Sequence, residues 1–498
     1  MVWDEVSHLK GGLLLSRGQI SEWAFTNSFY PPVYDSFVAM SFLAFGASVF
    51  SARLVSVVFL VLTVFVIYGI SNLLYNSKKA ALLSAVLFAV MPGVVWLSKL
   101  AMIETLLVFV VSLSMFFFFR WLQTNSKKDQ TLGIIAFIVG VLVKYQVLVI
   151  VPIIMLIGTF FLKKDYFKAE LKKWFTMPKL AVVITASIAA LSILAILIIT
   201  GTLDFLIYAF GTGSQQKAVY STRYPIPIFY LIEMTWFTDI LHPVSVLLYL
   251  VSLAGLAFMV HRRKTGDKYL LLWFSVVYIV FTLVPNREWR YLSVAFPVLA
   301  IAASSLVMSV WVKLRQFGQT AHSSLHKWGA KIGAASLIVL VAGGVYVSCS
   351  DAYVWLAQDQ IVVPVEQASF YAGNGLAPNQ TLIVVAGVNH FNKYMVSFCL
   401  STKNTSRDFN DTCQQYPAAA MDTFATTFNK SELVGMCQAN NTKYVLLFEY
   451  GKDLPYFQSD LTASKVYKLL NATGTFTLKE TFGAEPNRVF IFEFHTQP

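Results

Sequence analysis

Asp4 and Glu5 stand side by side at the head of an amphipathic stretch that also carries His8, Lys10 and Arg17. Far from them along the chain lie Glu104, Lys144 and the group Arg287, Glu288, Arg290 and Tyr291. A positioned carboxylate can take the proton of a hydroxyl, and a lysine or arginine can hold a phosphate as it departs. Each residue also has a plainer use. An isolated Asp-Glu pair most often starts a solvated loop, and Glu104 suits the positive end of a helix dipole. Lys144 either snorkels to a membrane interface or holds an anion.

The elements that must position these residues are apolar. The chain has 498 residues, 57% hydrophobic and 13% charged. A soluble domain is about half apolar and about a quarter charged. A disordered chain, a secreted disulfide scaffold and an ordinary cytosolic enzyme are excluded. The net charge of +12 does not signal nucleic acid, because the basic residues fall mainly in short loops between apolar runs.

Ten spans are expected, at 50–73, 80–98, 103–120, 131–144, 146–162, 179–200, 242–260, 269–285, 292–312 and 329–348. Apolar runs of this kind can cross about 30 Å of hydrocarbon. The pair at 131–162 also reads as one long broken helix. Alternate connections are basic: Lys78-Lys79, Arg120 to Lys128, Lys163 to Lys179, Arg262 to Lys264 and Lys313 to Lys331. The positive-inside rule puts these loops in the cytoplasm, leaving residues 1–49, 201–241 and the tail beyond 350 outside. The arginines at 287 and 290 then sit on the wrong side for topology, which asks for an anionic partner. Met1 is followed at once by Val2-Trp3-Asp4-Glu5, so one more helix is expected upstream.

The expected fold is a polytopic α-helical membrane protein with a C-terminal extracytoplasmic α/β domain. The membrane part covers 1–350 and the soluble part 351–498. In the tail, TLIVVAG (381–387), KYVLLFEY (443–450) and RVFIFEF (488–494) read as strands, with a helix over 363–373. Six N-x-S/T acceptor sequences, at Asn379, Asn404, Asn410, Asn429, Asn440 and Asn471, suit a compartment where N-glycosylation occurs. An oxidising exterior would allow one disulfide among Cys399, Cys413 and Cys437, while Cys349 reads as a buried small apolar residue. The loop 201–241 carries Lys217, Arg223, Glu233, Asp239 and His242, and is long enough for a lid. Tyr30-Pro31-Pro32-Val33-Tyr34 should hold extended backbone and fold the N-terminal segment along the membrane surface. There is no P-loop, GxGxxG, HExxH or CxxC.

The acidic pair, the loop ending in Pro-Pro-x-Tyr, the span SARLVSVVFLVLTVFVIY and an acid after a short outer turn together resemble the GT-C glycosyltransferases. The similarity is to the branch of dolichyl-phosphate-mannose-protein mannosyltransferases and aminoarabinose transferases. It is strongest over residues 3–160, returns at PNREWRYLSVAFP (285–297) and is architectural in the tail. The resemblance implies transfer of a sugar from a polyprenyl-phosphate donor to a hydroxyl of a protein, glycan or lipid at the outer membrane face. It makes Asp4 the favoured base, with Glu5 beside it, and Glu104 a supporting acid where many relatives have Asp. Lys144, with Arg287, Arg290 and Tyr291, would bind the lipid phosphate. A divalent metal would draw on Asp4, Glu104 and His242. Relatives with Glu-Lys before Pro-Pro have Phe29-Tyr30 here, and the His-Pro-Pro of others is Tyr30-Pro31-Pro32, so neither subgroup's acceptor carries over. An archaeal cell membrane or the endoplasmic reticulum fits the sequons. A transporter would also show intramembrane charge, but it would show repeats and a midplane site. A catalytically inactive scaffold of the same fold is the remaining alternative.

Overall fold

The computed structural model describes residues 3–26, 31–161, 219–238, 240–320, 322–358, 363–385, 391–403, 409, 411–416, 429–449, 463–472, 474–485 and 487–495. The span expected at 179–200, the basic loop Lys163 to Lys179, Phe29, Tyr30, Lys217, Asp239, Asn404 and Asn410 lie outside the described residues.

The chain begins with three helices, α1 (Trp3–Ser16), α2 (Ile20–Thr26) and α3 (Val33–Phe45). The expectation of extended backbone at Pro-Pro fails, because Pro32 takes helical angles (φ −74°, ψ −6°) as the N-cap of α3. Proline's fixed φ and missing N–H are compatible with the start of a helix. Gly12 of α1 faces Val38 of α3 so closely that a Cβ there would collide with it.

The apolar bundle follows as α4 (Val49–Tyr75), α5 (Lys78–Ala89), α6 (Pro92–Lys99), α7 (Ile103–Thr124), α8 (Lys127–Val141) and α9 (Ile150–Phe161). It resumes with α10 (Phe229–Glu233), α11 (Val246–Arg262), α12 (Thr265–Leu283), α13 (Phe296–Thr320) and α14 (Ser324–Gln358). Among the described residues five helices are long and apolar enough to cross a membrane, or six if α5 and α6 form one bent span. This is a multi-pass membrane protein. The span expected at 80–98 is bent by 59° where Pro92 opens a new helix. The spans expected at 131–144 and 242–260 are the shorter helices α8 and α11. After α8 the chain leaves the helix, and the 3-10 turn Tyr145–Val149 leads into α9. Lys144, in extended backbone, caps that turn.

The two ends of α4 are fixed by different chemistry. Ser48 and Ser51 form a reciprocal capping box at its start. At its end Tyr75 donates to Asp267 (2.8 Å), which also holds Arg262 of α11. Arg262 reaches on to Ser305 and Ser309 of α13. At 1.5 Å per residue the 27 residues of α4 span about 40 Å, so this charged clamp lies far from the N-terminal acids. Large apolar side chains such as Phe50 and Phe65 of α4 and Val339 and Tyr346 of α14 stay exposed, as a lipid-facing surface requires.

α14 runs through the boundary expected at 350. Beyond it come α15 (Val365–Asn374), β1 (Thr381–Val385), α16 (Lys393–Lys403), β2 (Cys413–Tyr416), α17 (Lys430–Ala439), β3 (Thr442–Phe448), α18 (Ala463–Asn471), β4 (Phe476–Phe482) and β5 (Val489–Phe494). The sheet order is β2-β1-β3-β5-β4, parallel over the first three strands and antiparallel at β5 and β4. The three expected strands and the helix at 363–373 are present; β2 and β4 are short or polar runs that period alone does not single out. Alternate residues divide the sheet's two cores. Leu382, Val384 and Leu446 join the core shared with the membrane helices, whereas Ile383, Val445 and Leu447 pack with Leu433 and Val466 of α17 and α18.

The cysteine expectations need two corrections. All four cysteines are free, and Cys437 lies in the core opposite that of Cys399 and Cys413. Cys349 is exposed on α14 instead of buried.

Gly255 of α11 meets the Ala302 carbonyl of α13 so tightly that a Cβ would strike backbone. Gly255→Ala is expected to cost about 1–3 kcal/mol through overpacking, measured as a lower thermal midpoint in detergent.

Candidate active site

Residues one apart on a helix point about 100° apart, and the two acids of α1 are separated by that rotation. Glu5 turns inward and is fully buried. Its carboxylate binds Arg53 of α4 through two bonds (2.6 and 2.8 Å) and accepts the Ala101 N–H (2.9 Å) between α6 and α7. Burial opposes this charge, but the Arg53 guanidinium and the Ala101 N–H hold the carboxyl below its ordinary value. Asp4 turns outward, its side chain 50% exposed, and meets Arg290 Nη1 at 2.8 Å. One acid is therefore sealed and the other open. Glu5, expected among the reacting acids, serves as a structural clamp.

Arg290 is the junction of the site. Its remaining nitrogens fork onto the Glu288 carboxylate, Nη2 at 2.7 Å and Nε also within bonding distance. It lies near enough to Glu104 for their charges to interact. Glu104, in the first turn of α7, is buried and takes Lys144 Nζ at 3.1 Å on Oε1. Glu104 Oε2 has no hydrogen-bond partner among the described residues. Lys144 Nζ also lies 6.0 Å from the ring centre of Tyr291, whose hydroxyl accepts from Asn286. Residues from α1, α7, the turn before α9 and the 3-10 turn Trp289–Ala295 thus converge on one charged cluster.

The other expected site residues lie elsewhere or are engaged. Arg287, expected to meet phosphate, is buried and directed at the carbonyls of Thr282, Ser221 and Pro285. Its role is to fix the turn. His242 Nδ1 contacts the Thr235 carbonyl, and its ring packs on Trp236. No three His, Cys, Asp or Glu side chains group as metal ligands among the described residues. Asp4 and Glu104 each face a cation of the protein, so the donor set does not fit a resident metal.

Three functional neighbours escape the sequence. Arg53 looks like an ordinary interfacial arginine inside SARLV, and only its position against α1 reveals the pair. Asp35 accepts from Trp23 (2.8 Å) and pairs with His8 (2.7 Å), a buried network that joins α1, α2 and α3. Tyr34 bonds Ser56 at 2.8 Å, and Ser56 in turn accepts the Met102 N–H at 3.3 Å, two residues before Glu104.

Residues 30–209 match the family described as dolichyl-phosphate-mannose-protein mannosyltransferase. The apo structure of ArnT from Cupriavidus metallidurans is similar with a TM-score of 0.62 at 10% identity, over 98% of this chain and 93% of that one. The chain shares the fold of ArnT. ArnT bound to undecaprenyl phosphate matches the chain with a TM-score of 0.51 at 12% identity, over 98% and 93% of the two chains. AglB, the oligosaccharyltransferase of Archaeoglobus fulgidus, in complex with an inhibitory peptide and a dolichol-phosphate, gives 0.50 at 16% identity, over 84% of this chain and 61% of that one. No curated protein sequence matches. The family match includes Glu104 and Lys144 but starts after Asp4 and stops before Arg290, so folding brings residues outside the matched stretch to those inside it.

Removing Glu5 strands Arg53 against a buried surface. Glu5→Ala should cost about 3 kcal/mol, read from thermal unfolding. Because the folded carboxyl titrates below its unfolded value of about 4.5, its contribution is present above that pH and is lost as pH falls through the folded value. The stability gap between wild type and Glu5→Gln should therefore shrink on acidification below about pH 4.5.

Proposed function

We propose that this protein is a membrane glycosyltransferase that moves a sugar from a polyprenyl-phosphate donor to a hydroxyl of a protein, glycan or lipid acceptor. The observation that carries the proposal is the link from half-exposed Asp4 through Arg290 to the buried Glu104–Lys144 pair. A base that solvent can reach stands beside cations suited to a phosphate. The printed ligands of ArnT and AglB, undecaprenyl phosphate and dolichol-phosphate, support the same donor class.

The reaction balances with these groups alone. The acceptor oxygen attacks the anomeric carbon, its proton passes to Asp4, and the bond from that carbon to the phosphate oxygen breaks. The electron pair leaves with the polyprenyl phosphate, whose growing charge Arg290 and Lys144 stabilise. Before the donor arrives, Arg290 neutralises Asp4 and Lys144 neutralises Glu104. A phosphate competing for both cations weakens those pairs and leaves Asp4 free to act as base. The cations are held by carboxylates in the empty site and redirected toward phosphate in the full one.

The sequons and basic loops support an orientation with this site and the α/β domain of residues 351–498 outside the cytoplasm. The membrane is then an archaeal cell membrane or the endoplasmic reticulum. Asn379, Asn429 and Asn471 are exposed on the α/β domain, whereas Asn440 is half-buried and donates its amide to the Met436 carbonyl. The exposed three are the better acceptors.

The test offers purified protein a panel of radiolabelled polyprenyl-phosphate sugars, with acceptor-bearing membranes, and follows label leaving the lipid. Asp4→Asn should lower turnover by about 10²- to 10⁴-fold, the usual weight of a general base, while still binding donor. Lys144→Ala should raise the donor concentration for half-maximal rate by about tenfold or more. Full activity in Asp4→Asn would remove Asp4 as the base. No consumption of any donor by wild type would favour the transporter or the inactive scaffold.

A further inference from the structure

α13 and α14 form a hairpin whose tip lies at the end of α13 away from Arg290. The tip outruns its neighbours. Arg262, in the last turn of α11, bonds Ser305 and Ser309 of α13, so α11 turns back into α12 at that level. α13 continues from Ser309 to Thr320, eleven residues or about 16 Å. None of its side chains beyond Val307 is buried. α14 returns in contact with it. A Cβ on Gly333 would meet Leu314, and one on Gly318 would meet Ala330, each at 3.0 Å.

These contacts set the register of the two helices, and the register locates the edge of the apolar layer twice. The apolar run of α13 ends at Val312 and that of α14 begins at Ile332, on either side of the Leu314–Gly333 contact. Lys313, Arg315 and Lys331 gather at that level, and Lys327 follows one turn further out. All four are exposed, and none forms an ion pair among the described residues. Their own hairpin offers no acid, because residues 289–350 contain neither Asp nor Glu. The neighbouring turns are built differently. Arg120 pairs with Asp129 at 3.2 Å beside the α7–α8 turn, and Arg262 pairs with Asp267 beside the α11–α12 turn.

Aromatic side chains stand among these cations. Phe317 is 51% exposed and Trp328 63%. Lys331 Nζ lies 5.1 Å from the Trp328 ring centre, and the Phe317 ring meets that of His326 edge-on at 5.8 Å. From Lys313 on to Phe317, and from Ile332 back to Trp328, is about 6 Å along each helix. A headgroup layer is about 5–7 Å deep on each side of the hydrocarbon, and tryptophan favours that layer. A protein partner alone would not require both helices to change from apolar to basic and aromatic at one depth.

We propose that the α13–α14 tip is a binding site for the phosphate headgroups of anionic lipids. Lys313, Arg315, Lys327 and Lys331 are its cations, and Phe317 and Trp328 are its anchors in the headgroup layer. An anionic surface attracts each such cation. The positive-inside rule asks for basic charge at this end, but for neither exposed aromatics nor the loss of every acid. The inference uses no part of the sugar-transfer reading.

The test therefore needs no donor. The full chain is reconstituted in phosphatidylcholine vesicles doped with equal small amounts of either phosphatidylglycerol or phosphatidylcholine, brominated near the headgroup. Bromine quenches a nearby indole, and subtracting the signal of Trp328→Phe isolates the share of Trp328. That share should be quenched about fivefold more by the anionic lipid. Replacing Lys313, Arg315, Lys327 and Lys331 together by Gln should remove the preference, whereas exchanging Lys for Arg and Arg for Lys at the same positions should keep it. Replacing Lys78, Lys79, Lys127 and Lys128 together by Gln should also keep it. Equal quenching by the two lipids, or none by either, would overturn the proposal; the second result is what a tip covered by an acidic protein would give. Loss of the preference in the Lys78, Lys79, Lys127 and Lys128 variant would overturn it as well, by assigning the effect to the basic turns at large. Wild type and Trp328→Phe alone report the preference, so the test stands even where a fourfold variant fails to fold.

Discussion

The pair between Glu5 and Arg53 is the constraint on which the site depends. α1 is a short helix with no span of its own, and a fully buried carboxylate must be matched or it will not stay charged. Arg53 and the Ala101 N–H supply that match from two separate elements. Once Glu5 is fixed, helical geometry leaves Asp4 only one direction to face, toward Arg290 and the open side. A clamp of structural origin thereby sets the azimuth of the residue proposed to do the chemistry.

The α/β domain holds the same helix from its other flank. Lys10 of α1 lies 5.5 Å from the Tyr394 ring centre, Arg17 just past α1 bonds the Ser401 carbonyl, and Phe42 of α3 packs on Phe398. α1 is thus sandwiched between the membrane bundle and α16. The α/β part contributes to the site by fixing the helix that carries Asp4, without lending it a reacting group among these contacts.

Buried charge here favours function over stability. The Lys144–Glu104 pair lies at the end of an apolar helix, and one oxygen of Glu104 has no hydrogen-bond partner among the described residues. Well-packed apolar residues would often be at least as stable in such a place. On the proposed reading the pair keeps a cation ready for phosphate, while Arg290 is kept ready by Glu288 and Asp4. Away from the site, the Tyr75–Asp267–Arg262 clamp at the far end of α4 shows the ordinary use of such groups, where the acid is bonded by both the phenol and the guanidinium.

Much of this was legible along the chain, because a membrane makes hydropathy nearly decisive. Long apolar runs marked the helices, and short apolar runs marked β1, β3 and β5. Asp4, Glu104, Lys144 and Arg290 stood out because ionisable residues near an apolar layer are costly and so need a reason to be there. The sequence by itself did not break the span expected at 80–98, although Pro92 forfeits an N–H bond and opens a new helix there. It did not divide Asp4 from Glu5, which are chemically alike and adjacent; only the position of Arg53, 48 residues away, decided which was sealed. Nor did it separate Arg287 from Arg290, whose different roles follow from what lies opposite each. Glu104 and Lys144 met only through tertiary packing, because the turn after α8 had to bring a lysine 40 residues away back to the first turn of α7.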